Sequence, residues 1–132
     1  MAPPQELLTN VGLFRDLDRR ELREVADAMK EYRFPAGHEI VTQGKDGVGF
    51  FVIADGTASV TVDGSEVRTL HTGDYFGEIA LLAESARTAT VTAETDLICW
   101  GLVSWAFRPI VEANGSIAWK LLQAMARIVA DK

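Results

Sequence analysis

Cysteine is nearly absent from this sequence, whose 132 residues include only Cys99. One thiol can form no disulfide within the chain and cannot build a zinc site alone, which excludes a disulfide-stapled secreted domain. Long apolar runs are also missing, so no segment is suited to cross a membrane. The N-terminal residues MAPPQELL lack the basic and apolar segments of a secretory signal. We therefore expect a cytoplasmic protein without membrane contact.

Basic side chains are in deficit, with 13 Lys and Arg against 19 Asp and Glu, for a formal charge of −6. An acidic chain repels phosphate backbones, and no local basic stripe reverses that repulsion. We therefore expect no direct binding to nucleic acid. Hydrophobic residues make up 48% and charged residues 24%, the balance of a soluble globular chain. The length predicts a single domain over residues 1–132.

Residue patterns for catalysis or metal binding are lacking as well. The two histidines, His38 and His71, stand near turns without the His and Glu cluster that a metal site needs, and surface positions are expected for both. Neither has a serine or cysteine partner in a nucleophile setting. Cys99 lies between Ile98 and Trp100 in an apolar run, which predicts a buried structural thiol. We expect no catalytic residue, no metal and no cofactor.

Residues 1–31 predict a helical lead-in to the domain. After one helical turn around Leu7 and Leu8, the spacing of Asp18 and Glu21 matches a capping box, with Asp in place of Ser or Thr. Apolar residues at helical spacing follow, which predicts a helix from about Asp18 to Lys30.

Residues 32–102 consist of short strand-like runs separated by turn signals. Asp63-Gly64 stands between two alternating runs, the strongest short-range signal of a hairpin. The run Arg87–Ala93 alternates small or apolar residues with threonines, whereas Gly49–Ala54 and Leu97–Leu102 are continuously apolar, as in buried strands. About eight strands are expected, which favours a mainly β fold with an eight-stranded antiparallel jelly-roll barrel.

Residues 103–132 predict two closing helices. Ser104 is the expected cap of a short helix that ends at Val111, and Ser116 the expected cap of the last helix after the break at Asn114-Gly115. Trp119 lies off the apolar stripe of that last helix and is interpreted as a packing residue or a partner contact. The stripe itself has helical spacing and comprises Ile117, Ala118, Leu121, Leu122, Met125, Ile128 and Val129.

The most informative segment is 73–93, GDYFGEIALLAESARTATVTA. It predicts a short helix whose first amides lack partners, next to a glycine, Gly77, that allows a ligand to approach the backbone. Arg87 then supplies a planar guanidinium suited to phosphate, and Thr88 adds a hydroxyl. Glu78 would accept hydrogen bonds from sugar hydroxyls beside such an anion. Each residue alone would be read as a surface or strand residue, but together they point to a nucleotide site.

FGEIALL followed by ARTATV resembles the phosphate-binding cassette of the cyclic-nucleotide-binding domain family. PAGHEIVTQGKDG and GFFVIADGTASVTVDG resemble the same family, and the order of elements matches along nearly the whole chain. The resemblance implies an N-terminal helix (1–31), a β-roll (32–102) that contains a short cassette helix within 73–93, and two C-terminal hinge or lid helices (103–132).

The resemblance also implies residue roles. Glu78 would accept from the ribose 2′-hydroxyl and Arg87 would pair with the cyclic phosphate, while backbone amides of the cassette complete the cradle. Two valines occupy positions of base contacts, although ordinary barrel core is an equal alternative for them. The implied ligand-binding residues are Gly77, Glu78, Ile79, Ala80, Arg87, Thr88, Val60 and Val67.

The expected function is a bacterial-type sensor of a cyclic nucleotide, cAMP rather than cGMP, whose occupancy moves the C-terminal helices. The sensor would act on a separate protein effector, or would be a regulatory part of a longer enzyme or transcription factor. An alternative is an interaction or dimerisation module with a silent nucleotide site, forming a homodimer through the C-terminal helix with Trp119.

Overall fold

A computed structural model of the chain describes residues 3–45, 49–77 and 86–130. The N-terminal segment contains α1, a 3-10 helix and α2, which span Gln5–Thr9, Gly12–Phe14 and Arg19–Asp27. Eight strands lie within the described ranges, and they are β1 (Lys30–Phe34), β2 (Glu39–Val41), β3 (Gly49–Asp55), β4 (Ala58–Val62), β5 (Ser65–Leu70), β6 (Tyr75–Phe76), β7 (Thr90–Ala93) and β8 (Leu97–Val103). Two helices follow, α3 (Ser104–Ala113) and α4 (Gly115–Ala130).

The strands form two antiparallel four-stranded sheets, with orders β1-β8-β3-β6 and β2-β7-β4-β5. Strands from the two ends of the β segment pair with each other in both sheets, as in a jelly roll. The predicted mainly β, antiparallel fold with flanking helices is therefore confirmed.

Two hydrophobic cores lie on opposite faces of the first sheet, because successive side chains of a strand point to opposite faces. The first core joins this sheet to the helices, and the second lies inside the roll. The first core contains Leu8, Val11, Leu13, Phe14, Leu22, Val25, Ala26, Met29, Phe50, Val52, Trp100, Leu102, Phe107, Ile117, Leu121 and Ala124. The second contains Ile53, Ala58, Leu70, Phe76, Val91, Ala93, Leu97 and Cys99. Burial on both faces explains the continuous apolar runs of β3 and β8.

The predicted hairpin at Asp63-Gly64 is present between β4 and β5. Both turn residues have positive φ, 53° and 81°, as a tight hairpin turn requires. The strand expected at Arg87–Ala93 is shorter than predicted: β7 begins at Thr90, with Val91 and Ala93 buried as the alternation indicated.

Helix α2 begins as predicted, with both halves of the capping box formed by Asp18 and Glu21. Its predicted end at Lys30 is wrong, since the helix stops at Asp27 and Lys30 already belongs to β1. The Ala28 amide closes the last turn on carbonyls of the helix, and Met29 is then buried in the first core as the chain turns into the strand.

The predicted caps of the closing helices are wrong. Ser104 is the first residue of α3, which has no side-chain cap and runs to Ala113 rather than Val111. The cap of α4 is Asn114, whose Oδ1 accepts hydrogen bonds from the amides of Ser116 and Ile117, at 3.1 and 3.3 Å.

The predicted apolar stripe of α4 is largely confirmed. Ile117 and Leu121 are buried, with Ala118 and Met125 partly so, and Ala124 joins the buried face. Leu122 is the exception, because 59% of it is exposed on the outward side of the helix. The side chains of residues 128 and 129 lie outside the described part of the structure.

A buried carboxylate, Glu21, joins α2 to α4. Only 6% of this residue is exposed. Its Oε1 accepts from the Asp18 amide at 3.0 Å and from Lys120 Nζ, and its Oε2 accepts from Ser116 Oγ at 2.8 Å. Since Lys120 and Ser116 both belong to α4, we name this set of contacts the Glu21 clasp.

The clasp determines the titration of Glu21. Burial of the carboxylate raises its pKa, but the hydrogen bonds from Lys120, the Asp18 amide and Ser116 outweigh burial and lower the pKa from 4.5 to about 2. A carboxyl whose pKa is lower in the folded state stabilises the fold above its unfolded pKa. That contribution is lost as the pH falls from 4.5 towards 2.

We expect Glu21→Gln to lower the free energy of unfolding by about 1–3 kcal/mol near neutral pH, because it removes charge-assisted hydrogen bonds. Gln has the same size and keeps the carbonyl acceptor of the capping box. The deficit should shrink below pH 4.5, where the wild-type carboxylate takes up its proton. Urea unfolding of both proteins at neutral and acidic pH measures this, and an equal deficit at every pH would contradict it.

Candidate functional site

Strand β6 leads the chain from the second core to Gly77. Phe76, the last residue of β6, is buried, and its ring stacks on that of Phe51 with centroids 5.3 Å apart. Gly77 follows directly with φ +86°, a conformation that residues with a side chain rarely adopt. The glycine is therefore held at the wall of the roll by a packed aromatic residue.

Arg87 is anchored at this wall by its backbone and its side chain. Its amide donates to the Lys45 carbonyl and its carbonyl accepts from the Gly44 amide, both at 2.8 Å. The half-buried guanidinium donates from Nη2 to the Gly49 carbonyl at 2.5 Å. Gly44 and Lys45, which follow β2, and Gly49, the first residue of β3, thus fix the position and direction of the arginine.

The guanidinium fits here because Gly77 has no side chain. A Cβ at this position would lie 2.5 Å from Arg87 Nη1 and 2.5 Å from the Gly49 carbonyl oxygen. Gly77, Arg87 and Gly49 therefore form one close-packed group, which we name the arginine cradle. The sequence predicted the first two residues. It gave no signal for the Gly49 carbonyl, because a backbone acceptor leaves no mark on residue type.

Gln43 braces the loop that holds the cradle, and it too was missed from the sequence. Its amide donates to Thr90 Oγ1 at 2.9 Å, which ties it to β7. Its side chain accepts from the Asp63 amide at 2.8 Å and donates to Asp63 Oδ1 at 2.9 Å. One side chain thereby connects the β4–β5 hairpin to the segment that follows β2.

The other predicted site residues are more dispersed. Thr88 is exposed beside Arg87. Val60 is half-buried and packs against the second core, as the barrel alternative expected. Val67 is 57% exposed at a bulge in β5, so it is not core. The predicted residues Glu78, Ile79 and Ala80 lie outside the described residues.

The chemistry of the cradle suits an oxyanion. A guanidinium is always charged and presents paired N–H donors that match the oxygens of a phosphate. Partial burial strengthens such a contact, because the surrounding medium is less polar than water. The backbone anchors of Arg87 orient it in advance, so less side-chain freedom is lost when an anion binds.

Metal or thiol chemistry has no support in the residues described. No group of three His, Cys, Asp or Glu residues there could hold a metal ion. His38 and His71 are exposed, and His38 stacks on Phe34. Cys99 is fully buried, and burial raises the pKa of its thiol to about 12, which keeps it in the unreactive thiol form. Within the described ranges, no helix combines the length and apolar character needed to span a membrane.

The fold combines an antiparallel roll and flanking helices with an arginine anchored at the wall of the roll, an arrangement suited to binding an oxyanion. A family model described as "Cyclic nucleotide-binding domain" matches residues 31–114. The chain therefore belongs to the cyclic nucleotide-binding domain family, which is a ligand-binding and regulatory class rather than a catalytic one.

Curated relatives include a protein kinase regulatory subunit and a protein kinase. The chain is 39% identical over 106 residues to the cAMP-dependent protein kinase type II regulatory subunit of Drosophila melanogaster, a match over 80% of this chain and 28% of that protein. It is 41% identical over 93 residues to the cGMP-dependent protein kinase egl-4 of Caenorhabditis elegans, over 66% of this chain and 12% of that protein. The chain thus corresponds to less than a third of either relative.

Solved structures show the same fold. The N-terminal domain of a transcriptional regulator from Streptomyces coelicolor A3(2) superposes with a TM-score of 0.85 and 26% identity, over 95% of this chain and 93% of that one. The structure of cAMP-bound PfPKA-R (141–441) gives a TM-score of 0.70 and 29% identity, over 94% of this chain and 45% of that one.

We expect Gly77→Ala to destabilise the domain more than Gly73→Ala does. Both glycines have positive φ, so each alanine is strained by about 1–2 kcal/mol. A Cβ at Gly73 meets nothing within 4 Å, whereas at Gly77 it collides with the cradle. The collision should add about 1–3 kcal/mol. Urea unfolding of the two variants measures the difference. Equal losses in the free energy of unfolding would show that the cradle accommodates a Cβ at Gly77 without an energetic penalty.

Proposed function

We propose that this chain is a cyclic-nucleotide sensor that binds cAMP in preference to cGMP. The observation that carries the proposal is the arginine cradle: a half-buried guanidinium held against Gly49 and Gly77 at the wall of the β-roll. The cyclic phosphate would pair with Arg87 in this position. The domain would act in the cytoplasm, as the sequence led us to expect.

We propose the remaining contacts from the resemblance of the sequence over residues 73–93. We assign the ribose 2′-hydroxyl to Glu78, and the rest of the phosphate cradle to the cassette residues Gly77, Ile79, Ala80 and Thr88. The base would lie towards β4 and β5. There Val67 offers an exposed apolar side chain and Val60 a half-buried one.

The two kinase relatives support a cyclic nucleotide as the ligand class. They do not distinguish adenine from guanine, since one is named for cAMP and the other for cGMP. We favour cAMP because one solved structure of the same fold, PfPKA-R, is described as cAMP bound.

The signal would leave the domain through its C-terminal helices. A line of aromatic contacts leads from the cradle towards them. Tyr75, two residues before Gly77, lies 5.8 Å from the Phe50 ring, and Phe50 lies 5.6 Å from the Phe14 ring of the 3-10 helix, measured between centroids. Helix α4 packs against this 3-10 helix. We propose that ligand binding shifts β6, repositions α4 over the base, and so signals to a separate or fused effector.

Calorimetric titration with cAMP and cGMP should give cyclic-specific binding, with 5′-AMP producing little heat. Arg87→Ala should weaken binding by about 2–5 kcal/mol, because it removes one partner of a partly buried charged pair. That loss corresponds to about 30-fold to several-thousand-fold in affinity.

Arg23→Ala, an exposed change on α2, is the matched control and should bind as the wild type does. A folded Arg87→Ala protein with unchanged affinity would overturn the site assignment. Absence of heat with every nucleotide, together with no thermal stabilisation, would overturn the sensor proposal.

Self-association is a second candidate function, favoured by the outward face of α4. Trp119 and Leu122 are 60% and 59% exposed, and with exposed Ala126 they follow a spacing of three and four residues. The two basic side chains of α4 are both in ion pairs with acids of the same chain. The stripe of Trp119, Leu122 and Ala126 is uncharged, so two copies could pack these faces together without charge repulsion, as in a two-fold homodimer.

Sedimentation velocity across a wide range of protein concentration should show the wild type shifting from monomer to dimer. Leu122→Glu should remain monomeric, because it would place two carboxylates opposite each other. Val67→Glu adds the same charge at an equally exposed apolar position outside α4, and it should associate as the wild type does. A wild-type chain that stays monomeric throughout would contradict this candidate.

A further inference from the structure

We propose that Glu21 is a positioning residue that holds α4 against the N-terminal helices and thereby lowers the affinity for cyclic nucleotide. This inference rests on the proposed sensor function. The clasp contributes no ligand contact. Its effect on binding comes from where it keeps the last helix.

The clasp connects two distant parts of the chain. Glu21, in the first turn of α2, is 6% exposed and accepts from Ser116 and Lys120 of α4. A second ion pair, Arg127 Nη1 to Asp16 Oδ2 at 2.5 Å, lies seven residues further along α4. Both pairs lie between α4 and the N-terminal segment, so together they restrain the helix along two turns.

The restrained position of α4 is on the far side of the first sheet from the ligand site. Ile117 and Leu121 are buried in the first core, on the helical face of that sheet. The cradle follows Phe76, which lies in the second core on the opposite face. A helix in this position cannot also cover a base inside the roll. Movement of α4 over the ligand therefore requires the clasp to open.

The need to open the clasp lowers the apparent affinity of the wild-type chain. When only a fraction of molecules has the binding-competent arrangement, the apparent dissociation constant rises in inverse proportion to that fraction. The clasp disfavours the binding-competent arrangement, so removing it raises the competent fraction and tightens binding. A merely structural loss would not do this, since damage to a site weakens binding or leaves it unchanged.

The test compares Glu21→Gln with Glu24→Gln. Both remove one negative charge from α2, but Glu24 is exposed and lies outside the clasp. Calorimetric titration with cAMP should give a dissociation constant about three- to tenfold lower for Glu21→Gln and unchanged for Glu24→Gln. Lys120→Met removes the same ion pair from the α4 side and should tighten binding in the same direction. Lys120→Met also provides the same test if Glu21→Gln is poorly folded.

Amide hydrogen exchange without nucleotide supplies a readout independent of binding. Exchange in α4 should be faster in Glu21→Gln and Lys120→Met than in the wild type, and unchanged in Glu24→Gln. Folded clasp variants whose affinity for cAMP equals or falls below that of the wild type would overturn the inference. A wild-type chain that binds no cyclic nucleotide would contradict both the proposed function and this inference. Binding by the wild type, together with clasp variants of unchanged affinity, would contradict this inference alone.

Discussion

The pairing of β3 with β8 is the constraint on which the rest of the structure depends. These seven-residue strands run antiparallel at the centre of the first sheet and are buried on both faces. Phe50 and Trp100 point into the helical core, while Ile53 and Cys99 point into the roll. One strand pair therefore fixes both cores relative to each other. The interior of the roll and the helices packed outside it are therefore connected through this one sheet.

The local features of the fold were predictable because they depend on neighbours in sequence. The turn at Asp63-Gly64 and the capping box at Asp18 need only a few consecutive residues, and both formed as predicted. Features set by distant partners were not predictable. Ser116 was expected to cap α4, but its hydroxyl bonds Glu21, 95 residues away, and the neighbouring Asn114 supplies the cap. Helical spacing placed Leu122 in the core for the same reason, since the pattern cannot show which edge of a wide apolar stripe faces the protein.

In the candidate site, too, some features were predictable from the sequence and others depend on distant partners. The types of Gly77 and Arg87 carry chemistry that the sequence displays, and the structure brings them together. Their third partner is a backbone carbonyl at Gly49, and the brace is a glutamine whose contacts lie 20 and 47 residues away. Such support is invisible to residue type, yet it orients the guanidinium. Membership of the cyclic nucleotide-binding domain family gives the domain its ligand class, and the geometry explains how the side chain of Arg87 is held in one orientation.

The burial of Cys99 has a practical consequence. The only thiol of the chain is fully enclosed in β8 and remains protonated, so maleimide and spin-label reagents have no native target on the folded protein. A cysteine introduced on the outer surface would therefore be the sole labelled position, without prior removal of a native thiol. The molecule is thus already suited to site-specific spectroscopy, in which one paramagnetic label on a helix reports its distance from nuclei of the barrel.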